Sequence, residues 1–389
     1  MPWRHGRKLG AARNIGLRLN AYGSHVEMPI NGVNGYRYLA SGAFDWQASE
    51  KLSFKIDAEH YRRATDEPGG ITLPAAINGA ITLPAIPDPR NRYAPVNAPY
   101  RTWVTNVLGR VDYSLSGTWS VRAGAGYANT RRQRMIANVG KVNAVTGAGT
   151  LTSTCTPDQE YANLYWRADV TGEVGIFGIR HELLFGYARN RQVQEDQHQQ
   201  SYAALAQNLY APVVLSLAAL TPTTNRLVAG SVNIATGLYA MDQAHIGESV
   251  LVMAGVRYVD YRTTTAQTDF AIRTWTPTGA VVQRPTSKTS LYFSYIEGLE
   301  SAGTAPDGTT NAGAVLPAVR SRQIELGGRA EVGGVMASLG WFRINRGWPT
   351  PTWPPTPMWS TGAPCIRGTR GHSMAMSPAP SLWRWPGQI

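Results

Sequence analysis

The stretch SLYFSYIEGLESAGTAPDGTTNAGAVLPAVRSRQIELGGRAEVGGVMASLGWFRIN, residues 290–345, says most about the architecture of this chain. An alternating segment leads into a polar loop rich in Gly, Asn and Pro, and a second alternating segment turns at Gly333-Gly334 into a third. Two alternating segments joined by a glycine pair predict a tight β-hairpin. The unit is therefore a hairpin with a short turn at one end and a long loop at the other, and the rest of the chain repeats it.

The middle segment carries different kinds of residue on its two faces. Ile324 and Leu326 point one way, whereas Gln323, Glu325 and Arg329 point the other, because successive side chains leave a strand on opposite faces. Such a strand can be half-buried in a soluble β-sandwich, or it can face lipid outward and a wet lumen inward. The alternation alone leaves both architectures open.

Several spaced motifs in this stretch carry a family resemblance. They are Tyr295, the EGLE run at 297–300, Ala305-Pro306, Asn311-Ala312-Gly313, Leu316-Pro317 and the SRQIE run at 321–325. The stretch resembles the C-terminal half of TonB-dependent siderophore receptors of Gram-negative outer membranes. That family forms a 22-stranded barrel closed by an N-terminal plug, and it imports ferric siderophores with energy relayed through TonB. The resemblance implies an all-β chain: a partial transmembrane antiparallel β-barrel of about 13 strands with long extracellular loops.

The composition agrees with an all-β chain and narrows the possible partners. Charged residues make up 16% of the 389 residues and there are 40 glycines, which favours strands and turns over helices. A net charge of +12 favours binding of a negatively charged partner, which could be nucleic acid, anionic lipid or an anionic ligand. We exclude nucleic acid, because the arginines are scattered along strand ends and form no basic block with a reading motif.

The sequence carries no recognisable catalytic or metal-binding set. Cys155 and Cys365 have no CxxC spacing, the histidines are spread singly, and no nucleophile, histidine and acid fall at plausible strand positions. We therefore expect that the chain is not an enzyme and holds no cofactor. In the family that the chain resembles, iron arrives already bound as a ferric siderophore complex.

Short turns alternate with long loops along the chain, as they do in outer-membrane barrels. The segment at 66–99 reads as an extracellular loop or as a proline-rich linker, and its two flanking hairpins favour the loop. The segment at 192–236 is loop-like and could hold a short helix. The predicted turns lie at 49–51, 116–118, 247–249 and 286–288, and the predicted long loops lie at 66–99, 138–158 and 192–236.

The two ends of the chain differ from the barrel pattern. Residues 1–10 are an atypical start without the apolar core of a secretion signal, and no part of the chain matches the TonB box or plug, so we expect the beginning of the receptor to be missing. Residues 11–346 form the partial barrel. Residues 347–389 form an aberrant tail with nine prolines, five tryptophans and no acidic residue. We expect a shifted reading frame there; the alternative is a disordered Pro-rich extension.

Arginines cluster where the predicted strands rise into long loops. A guanidinium fork suits a carboxylate- or hydroxamate-bearing ferric complex, and a cationic vestibule raises the local concentration of such a ligand. The alternative is contact with anionic lipopolysaccharide, or solvated charge. The candidate ligand-binding residues are Arg62, Arg63, Arg131, Arg132, Arg134, Arg189 and Arg191.

The sequence thus predicts a monomeric receptor for ferric siderophores in the outer membrane of the cell. Its expected partners are the ferric siderophore, outer-membrane lipid and lipopolysaccharide, with the TonB complex only where the N-terminal region is present. Two alternatives remain open: a passive porin-like channel, which needs no EGLE and SRQIE motifs, and a non-functional pseudogene remnant.

Overall fold

The computed structural model describes residues 2–10, 13–74, 80–300, 303, 305, 310, 316–346 and 372–373, and this part of the chain is almost entirely β-structure. One 3-10 turn, Leu217–Ala219, interrupts the strands. The strands are β1 (Pro2–Leu9), β2 (Ile15–Glu27), β3 (Asn34–Gln47), β4 (Leu52–Asp66), β5 (Gly70–Ile71), β6 (Pro99–Ser114), β7 (Trp119–Gly140), β8 (Ala148–Ile176), β9 (Ile179–Gln194), β10 (Gln197–Tyr202), β11 (Leu205–Asn208), β12 (Pro222–Val228), β13 (Ser231–Ile246), β14 (Val250–Thr265), β15 (Asp269–Thr286), β16 (Thr289–Glu300), β17 (Val319–Val332), β18 (Val335–Arg346) and β19 (His372–Ser373).

The long strands form one antiparallel meander. Each pairs with the next in the order β1-β2-β3-β4-β6-β7-β8-β9-β13-β14-β15-β16-β17-β18, while β5, β10, β11, β12 and β19 are short additions at its margins. The sequence predicted about thirteen such strands, and the described residues contain fourteen. Within the described residues, β1 and β18 do not pair with each other. The sheet is therefore an arc of a barrel.

Tight turns close one end of every hairpin, as the sequence predicted. Gly333 and Gly334 have φ of 59° and 78°, and Phe177-Gly178 has φ of 50° and 77°. Positive φ at both central residues defines the type I′ turn, whose twist matches that of the paired strands. Two glycines suit this turn, whereas Phe177 occupies a backbone conformation that L-residues rarely adopt. We call this end of the sheet the short-turn end.

The two faces of the meander meet different surroundings. The apolar side chains of one face, such as Ile56, Leu164, Leu238, Leu326 and Leu339, are between 39% and 63% exposed, and no second sheet covers them in the described part of the chain. An apolar surface this extensive marks contact with lipid or another apolar partner. The alternation over single strands is thus confirmed, and a two-layer sandwich is excluded for this part of the chain.

The apolar outer face has the height of a membrane core. At the top of the apolar band, counted from the short-turn end, the outer face becomes charged at Arg62 on β4, Arg189 on β9 and Asp260 on β14. Each lies ten residues beyond the first residue of its strand. A tilted transmembrane strand needs about 9–11 residues. Within the apolar band, an ion pair between His181 Nδ1 and Asp242 Oδ2 at 2.8 Å lies nearer the short-turn end.

The most deeply buried apolar residues lie at the opposite, long-loop end. They come from the adjoining ends of β7 and β8 and the connection between them, from the β4–β6 loop, and from the residue after β11, and we call this cluster the loop core. It consists of Tyr93, Ala94, Ala98, Met135, Ala137, Val139, Val142, Leu151, Cys155 and Leu209.

The predicted loop at 138–158 is wrong in its bounds. Strand β7 continues to Gly140 and β8 begins at Ala148, so much of this segment is an extended hairpin above the apolar band. On β8 the buried positions are Leu151, Ser153 and Cys155, and the threonines that alternate with them are exposed or half-buried. Small and hydroxyl-bearing residues on both faces leave no apolar alternation to read.

The first residues of the chain belong to the same sheet as the rest. Within residues 1–10, β1 pairs with β2 from Pro2↔Tyr22 to Leu9↔Ile15, so the sheet begins before residue 11. The predicted tail at 347–389 lies outside the described residues apart from His372–Ser373, and its interpretation stays a prediction.

Candidate ligand-binding surface

The strand register separates the seven predicted arginines into two groups. Glu59 and Asn106 line a concave cavity on the polar face, and residues an even number of positions away on the same strands share that face. We call this face the inner face. Three of the arginines lie on the inner face and four on the outer face. The inner ones are Arg63, Arg132 and Arg134, and the outer ones are Arg62, Arg131, Arg189 and Arg191.

Two of the three inner arginines lie over one tyrosine near the long-loop end, and the third, Arg132, lies 6.0 Å from the ring centroid of Tyr161. The guanidinium carbons of Arg63 and Arg134 lie 4.9 Å and 5.5 Å from the ring centroid of Tyr100, within the range of a cation–π contact. Tyr100 pairs directly with Arg134 across β6 and β7, and Thr102 pairs with Arg132. We call Arg63, Arg132 and Arg134 the inner arginine cluster.

The inner arginine cluster is only partly neutralised. Arg134 meets Glu67 at 3.4 Å, and Arg132 donates from Nε to Gln159 at 2.6 Å. Arg63 forms no ion pair with any described residue, and the Nε atoms of Arg63 and Arg134 are buried without an acceptor in the described part of the chain. A guanidinium group with free donors suits bidentate binding of an oxyanion.

A cavity of about 470 Å³ with a mixed polar and apolar lining lies on the same inner face, nearer the short-turn end. Its walls include Arg18, Asp57, Glu59, Asn106 and Asn163. Glu59 and Arg63 are on the same face of β4, so the cavity and the inner arginine cluster belong to one continuous wall. Its volume is within the range of small-molecule sites.

The other inner-face charges are largely paired among themselves. Asp112 accepts from Arg110 at 2.8 Å and from Arg122 at 2.6 Å. The buried carboxylate of Asp169 accepts from Arg167 and from the hydroxyl of Tyr239. Such pairs satisfy buried charge and hold neighbouring strands in register. The arginines of these pairs have carboxylate partners, whereas the inner arginine cluster retains donors without an acceptor.

The two runs that carry the family resemblance meet in space. Strands β16 and β17 place Glu297 opposite Arg322. The Glu297 carboxylate forms ion pairs with Arg322 Nε at 3.0 Å and with Arg320 Nη1 at 3.3 Å, and it accepts a hydrogen bond from the hydroxyl of Tyr295. The Glu297 side chain is 6% exposed. The motif residues between these strands lie largely outside the described residues.

A buried arginine attaches the β4–β6 loop to the sheet. The Arg92 side chain is 3% exposed and meets Asp66 at 2.8 Å. It also donates to the carbonyl oxygens of Gly32, Ala94 and Pro95 at 2.8, 3.1 and 2.6 Å. Asp66 is followed by Glu67, the partner of Arg134. The attachment of the loop therefore also fixes the acid beside the inner arginine cluster.

Titratable groups of the long-loop end have shifted pKa values. Burial raises the pKa of the Tyr93 hydroxyl and, with a smaller effect from Asp158, the pKa of the Cys155 thiol. The side chain and backbone N–H of Arg90 lower the pKa of Asp88 to about 2. The shifts of Tyr93 and Cys155 follow from their burial in the loop core, whereas that of Asp88 follows from its exposed pair with Arg90.

The sequence predicted the inner arginines as candidate ligand-binding residues, but it did not predict the residues that contact them. Tyr100 and Glu67 lie at the ends of one predicted loop, and Gln159 follows another. No motif in the neighbouring sequence indicates that these residues contact the arginines. Their contacts depend on the register between strands, which a single strand does not disclose. No helix in the described part of the chain is long and apolar enough to cross a membrane.

Comparison with known proteins gives a family and several structural neighbours. A family model described as "TonB dependent receptor-like, beta-barrel" matches residues 29–347. The ferrichrome receptor FcuA of Yersinia enterocolitica is 22% identical over 376 residues, which are 88% of this chain and 46% of that protein.

The similar solved structures have the same fold. The ferric preacinetobactin receptor BauA of Acinetobacter baumannii matches with a TM-score of 0.73 at 20% identity, covering 89% of this chain and 52% of BauA. The closed form of the ferric-catecholate import receptor Fiu from E. coli K12 matches with a TM-score of 0.71 at 14% identity, covering 88% of this chain and 55% of Fiu. The chain spans about half the length of these proteins.

Proposed function

Because the chain belongs to the TonB-dependent receptor β-barrel family, whose members are outer-membrane transport receptors, we propose that it forms part of an importer of ferric siderophores. The predicted fold, a partial antiparallel transmembrane β-barrel with long extracellular loops, is confirmed by the family match and the meander. The activity of a whole receptor is a proposal, since the chain spans about half of its relatives.

The inner arginine cluster carries the proposal. Arg63, Arg132 and Arg134 face the concave wall at the long-loop end, where a ligand from outside would arrive first. Two of their Nε atoms are buried without an acceptor among the described residues. Arg63 forms no ion pair with a described residue and is only half-buried, so its terminal nitrogens can donate to ligand oxygens.

The chemistry of the cluster favours an anionic ferric complex. Three guanidinium groups beside one carboxylate, Glu67, give this end of the wall an excess of positive charge. The hydroxamate, carboxylate or catecholate oxygens of a siderophore are suitable acceptors. The relatives differ in the ligand that their names state, ferrichrome, preacinetobactin and ferric catecholate among them, so the proposal is limited to the class.

Localisation and energy coupling follow from the same proposal. We place the chain in the cell outer membrane, with its apolar outer face in lipid and its short turns towards the periplasm. Coupling to TonB would belong to the assembled receptor, through the plug that the family carries ahead of its barrel. No catalytic step is assigned to any residue.

Binding of ferric siderophores tests the proposal. The purified chain in detergent micelles is titrated with ferric hydroxamate, ferric catecholate and ferripyoverdine, and quenching of tryptophan fluorescence is followed. At least one ferric complex should bind saturably and more tightly than its iron-free form. In the variant R63Q/R132Q/R134Q that affinity should fall at least about tenfold, because each charge-assisted hydrogen bond contributes about 1.5–3 kcal/mol.

A matched control comes from the neighbouring residues on the same strands. The variant R62Q/R131Q removes arginines directly adjacent in sequence, whose side chains lie on the outer face. It should bind like the parent chain. Equal loss in both variants, or no saturable binding of any ferric complex by a folded chain, would overturn the proposal.

A further inference from the structure

A fourth arginine lies on the inner face beside the inner arginine cluster. Arg37 on β3 is directly opposite Arg63 on β4, and the same row continues across the sheet through Thr102 on β6 to Arg132 on β7. Arg37 is not among the predicted ligand-binding residues, because it stands alone in the sequence between two tyrosines. The row therefore places three positive charges at one level of the wall.

Arg37 and Arg63 form a like-charged pair without a counter-ion in the described part of the chain. Directly opposite side chains of an antiparallel pair have Cβ atoms about 4.5–5.5 Å apart, and like charges at such positions destabilise the sheet. Arg37 donates from Nε to the neutral hydroxyl of Ser24 at 2.8 Å, and the Nε of Arg63 is buried without an acceptor among the described residues. Neither guanidinium meets a carboxylate there, so their repulsion is not offset.

Two other like-charged pairs on the inner face do have compensating charges. Lys55 lies opposite Arg110, and each of them meets a carboxylate, at 3.9 Å and 2.8 Å respectively. Glu173 lies opposite Glu182, and the guanidinium of Arg180 meets both carboxylates, at 3.4 Å and 3.2 Å. The arginine pair lacks this compensation among the described residues, which leaves the place of a counter-ion open to a ligand.

Tyrosine rings support both arginines of the pair. The guanidinium carbon of Arg37 lies 5.4 Å from the ring centroid of Tyr22, and that of Arg63 lies 4.9 Å from the ring centroid of Tyr100. Arg37 is exposed and Arg63 is half-buried, so their terminal nitrogens can reach a ligand in the lumen. Because ordering a long side chain costs entropy, arginines that are held in place before the ligand arrives bind it with a smaller loss.

We propose that Arg37 and Arg63 together bind an anionic group of the ferric siderophore, so that the receptor selects ferric complexes with a net negative charge over neutral ones. This inference rests on the proposed function. An oxyanion between two guanidinium groups replaces their repulsion by two attractions, whereas a neutral complex leaves the repulsion in place.

The chemistry of the iron ligands decides which complexes carry the required charge. Iron(III) held by three catecholate groups is trianionic, and ferric citrate is also anionic, whereas iron(III) held by three hydroxamate groups is neutral. Ferrichrome, the ligand in the name of the matched Yersinia receptor, is a neutral complex of this last kind. We therefore expect this chain to bind ferrichrome weakly.

Binding of charged and neutral ferric complexes tests the selectivity. The purified chain in detergent micelles is titrated with a ferric tris-catecholate, ferric citrate and ferrichrome, and quenching of tryptophan fluorescence is followed. At least one of the two anionic complexes should bind at least about tenfold more tightly than ferrichrome. Its affinity should fall with added salt, because salt screens the attraction between exposed charges, while the affinity for ferrichrome should stay constant.

Variants of Arg37 separate binding from stability. In R37Q the affinity for the anionic complex should fall about tenfold or more, and the affinity for ferrichrome less than about threefold. R37E places a carboxylate opposite Arg63, so its urea midpoint of unfolding should rise above that of the parent chain, while its affinity for the anionic complex should fall at least as far as in R37Q. The control R329Q removes an exposed arginine from the inner face of β17 and should bind every complex like the parent chain.

The outcomes distinguish this inference from the proposed function. Far-ultraviolet circular dichroism first checks that each variant keeps its β-structure. Ferrichrome binding as tightly as the anionic complexes, equal affinity of R37Q and the parent chain for the anionic complex, equal loss in R37Q and R329Q, or a lower urea midpoint in R37E would refute the selectivity and leave the proposed function standing. If no ferric complex binds saturably to the folded chain, both are overturned.

Discussion

Replacing Arg92 with Gln should release the β4–β6 loop while leaving the sheet intact. The substitution removes the guanidinium that meets Asp66 and donates to three carbonyl oxygens, and little water can take its place because the side chain is 3% exposed. Breaking a buried ion pair costs about 3–5 kcal/mol. Asp66 is a quarter exposed and keeps the N–H of Asn97 at 3.1 Å, so we take the lower end, about 3 kcal/mol.

Hydrogen exchange measures this release directly. The amides of Tyr93 and Ala94 donate to the carbonyl of Pro68, and they exchange only when the loop opens. A loss of about 3 kcal/mol corresponds to exchange about 150 times faster in the R92Q chain. Mass spectrometry of peptides from 91–99 gives the rate, and peptides from β17 give the internal reference.

The control for this prediction lies two residues earlier. Arg90 pairs with Asp88 at 2.8 Å, but both side chains are open to solvent, where an ion pair is screened and contributes little. Exchange in R90Q should stay close to that of the parent chain. Similar exchange rates in R92Q and R90Q would refute the conclusion that burial makes Arg92 the attachment point of the loop.

Two further predictions concern the loop core and the inner face. In a chain with Cys365→Ser, the Cys155 thiol of the folded protein should react with iodoacetamide at pH 8 at least about a hundredfold more slowly than the thiol of the same chain unfolded in urea. Burial blocks access to the thiol, and its raised pKa keeps it protonated. Folded and unfolded rates within tenfold of each other would contradict this prediction. Gly186→Ala places a Cβ 2.3 Å from the ring of Tyr239 and should lower the free energy of unfolding, measured by urea titration, by about 1–3 kcal/mol. In Gly175→Ala the added Cβ meets nothing within 4 Å, so the free energy of unfolding should change little. Equal unfolding midpoints for the two variants would contradict the close packing at Gly186.

The sequence predicts those parts of the fold whose signal is local. The turns at 49–51 and at Gly333-Gly334 are visible because each is short, polar or glycine-rich and lies between alternating segments. The extension of β8 above the apolar band was missed, since Leu151 and Cys155 alternate with threonine in a segment that also contains serine. Hydropathy there does not differ enough between the two faces to reveal a strand.

The candidate site was only partly predictable for a different reason. Grouping Arg62 with Arg63, and Arg131 with Arg132, follows proximity along the chain, but adjacent residues of a strand point to opposite faces. Their separation could have been read from the alternation. The gathering of Arg63 and Arg134 around Tyr100 could not, because it depends on the register among three strands.

The adjacency of Arg131 and Arg132 limits how the length of this chain can vary. A deletion of one residue within β7 would send every later side chain of that strand to the other surface, exchanging lipid contact for lumen contact along its length. Removal of two residues would keep the faces and shift the pairing by one repeat. Length differences between descendants of this gene should therefore accumulate in the connections, and any within strands should come in even numbers.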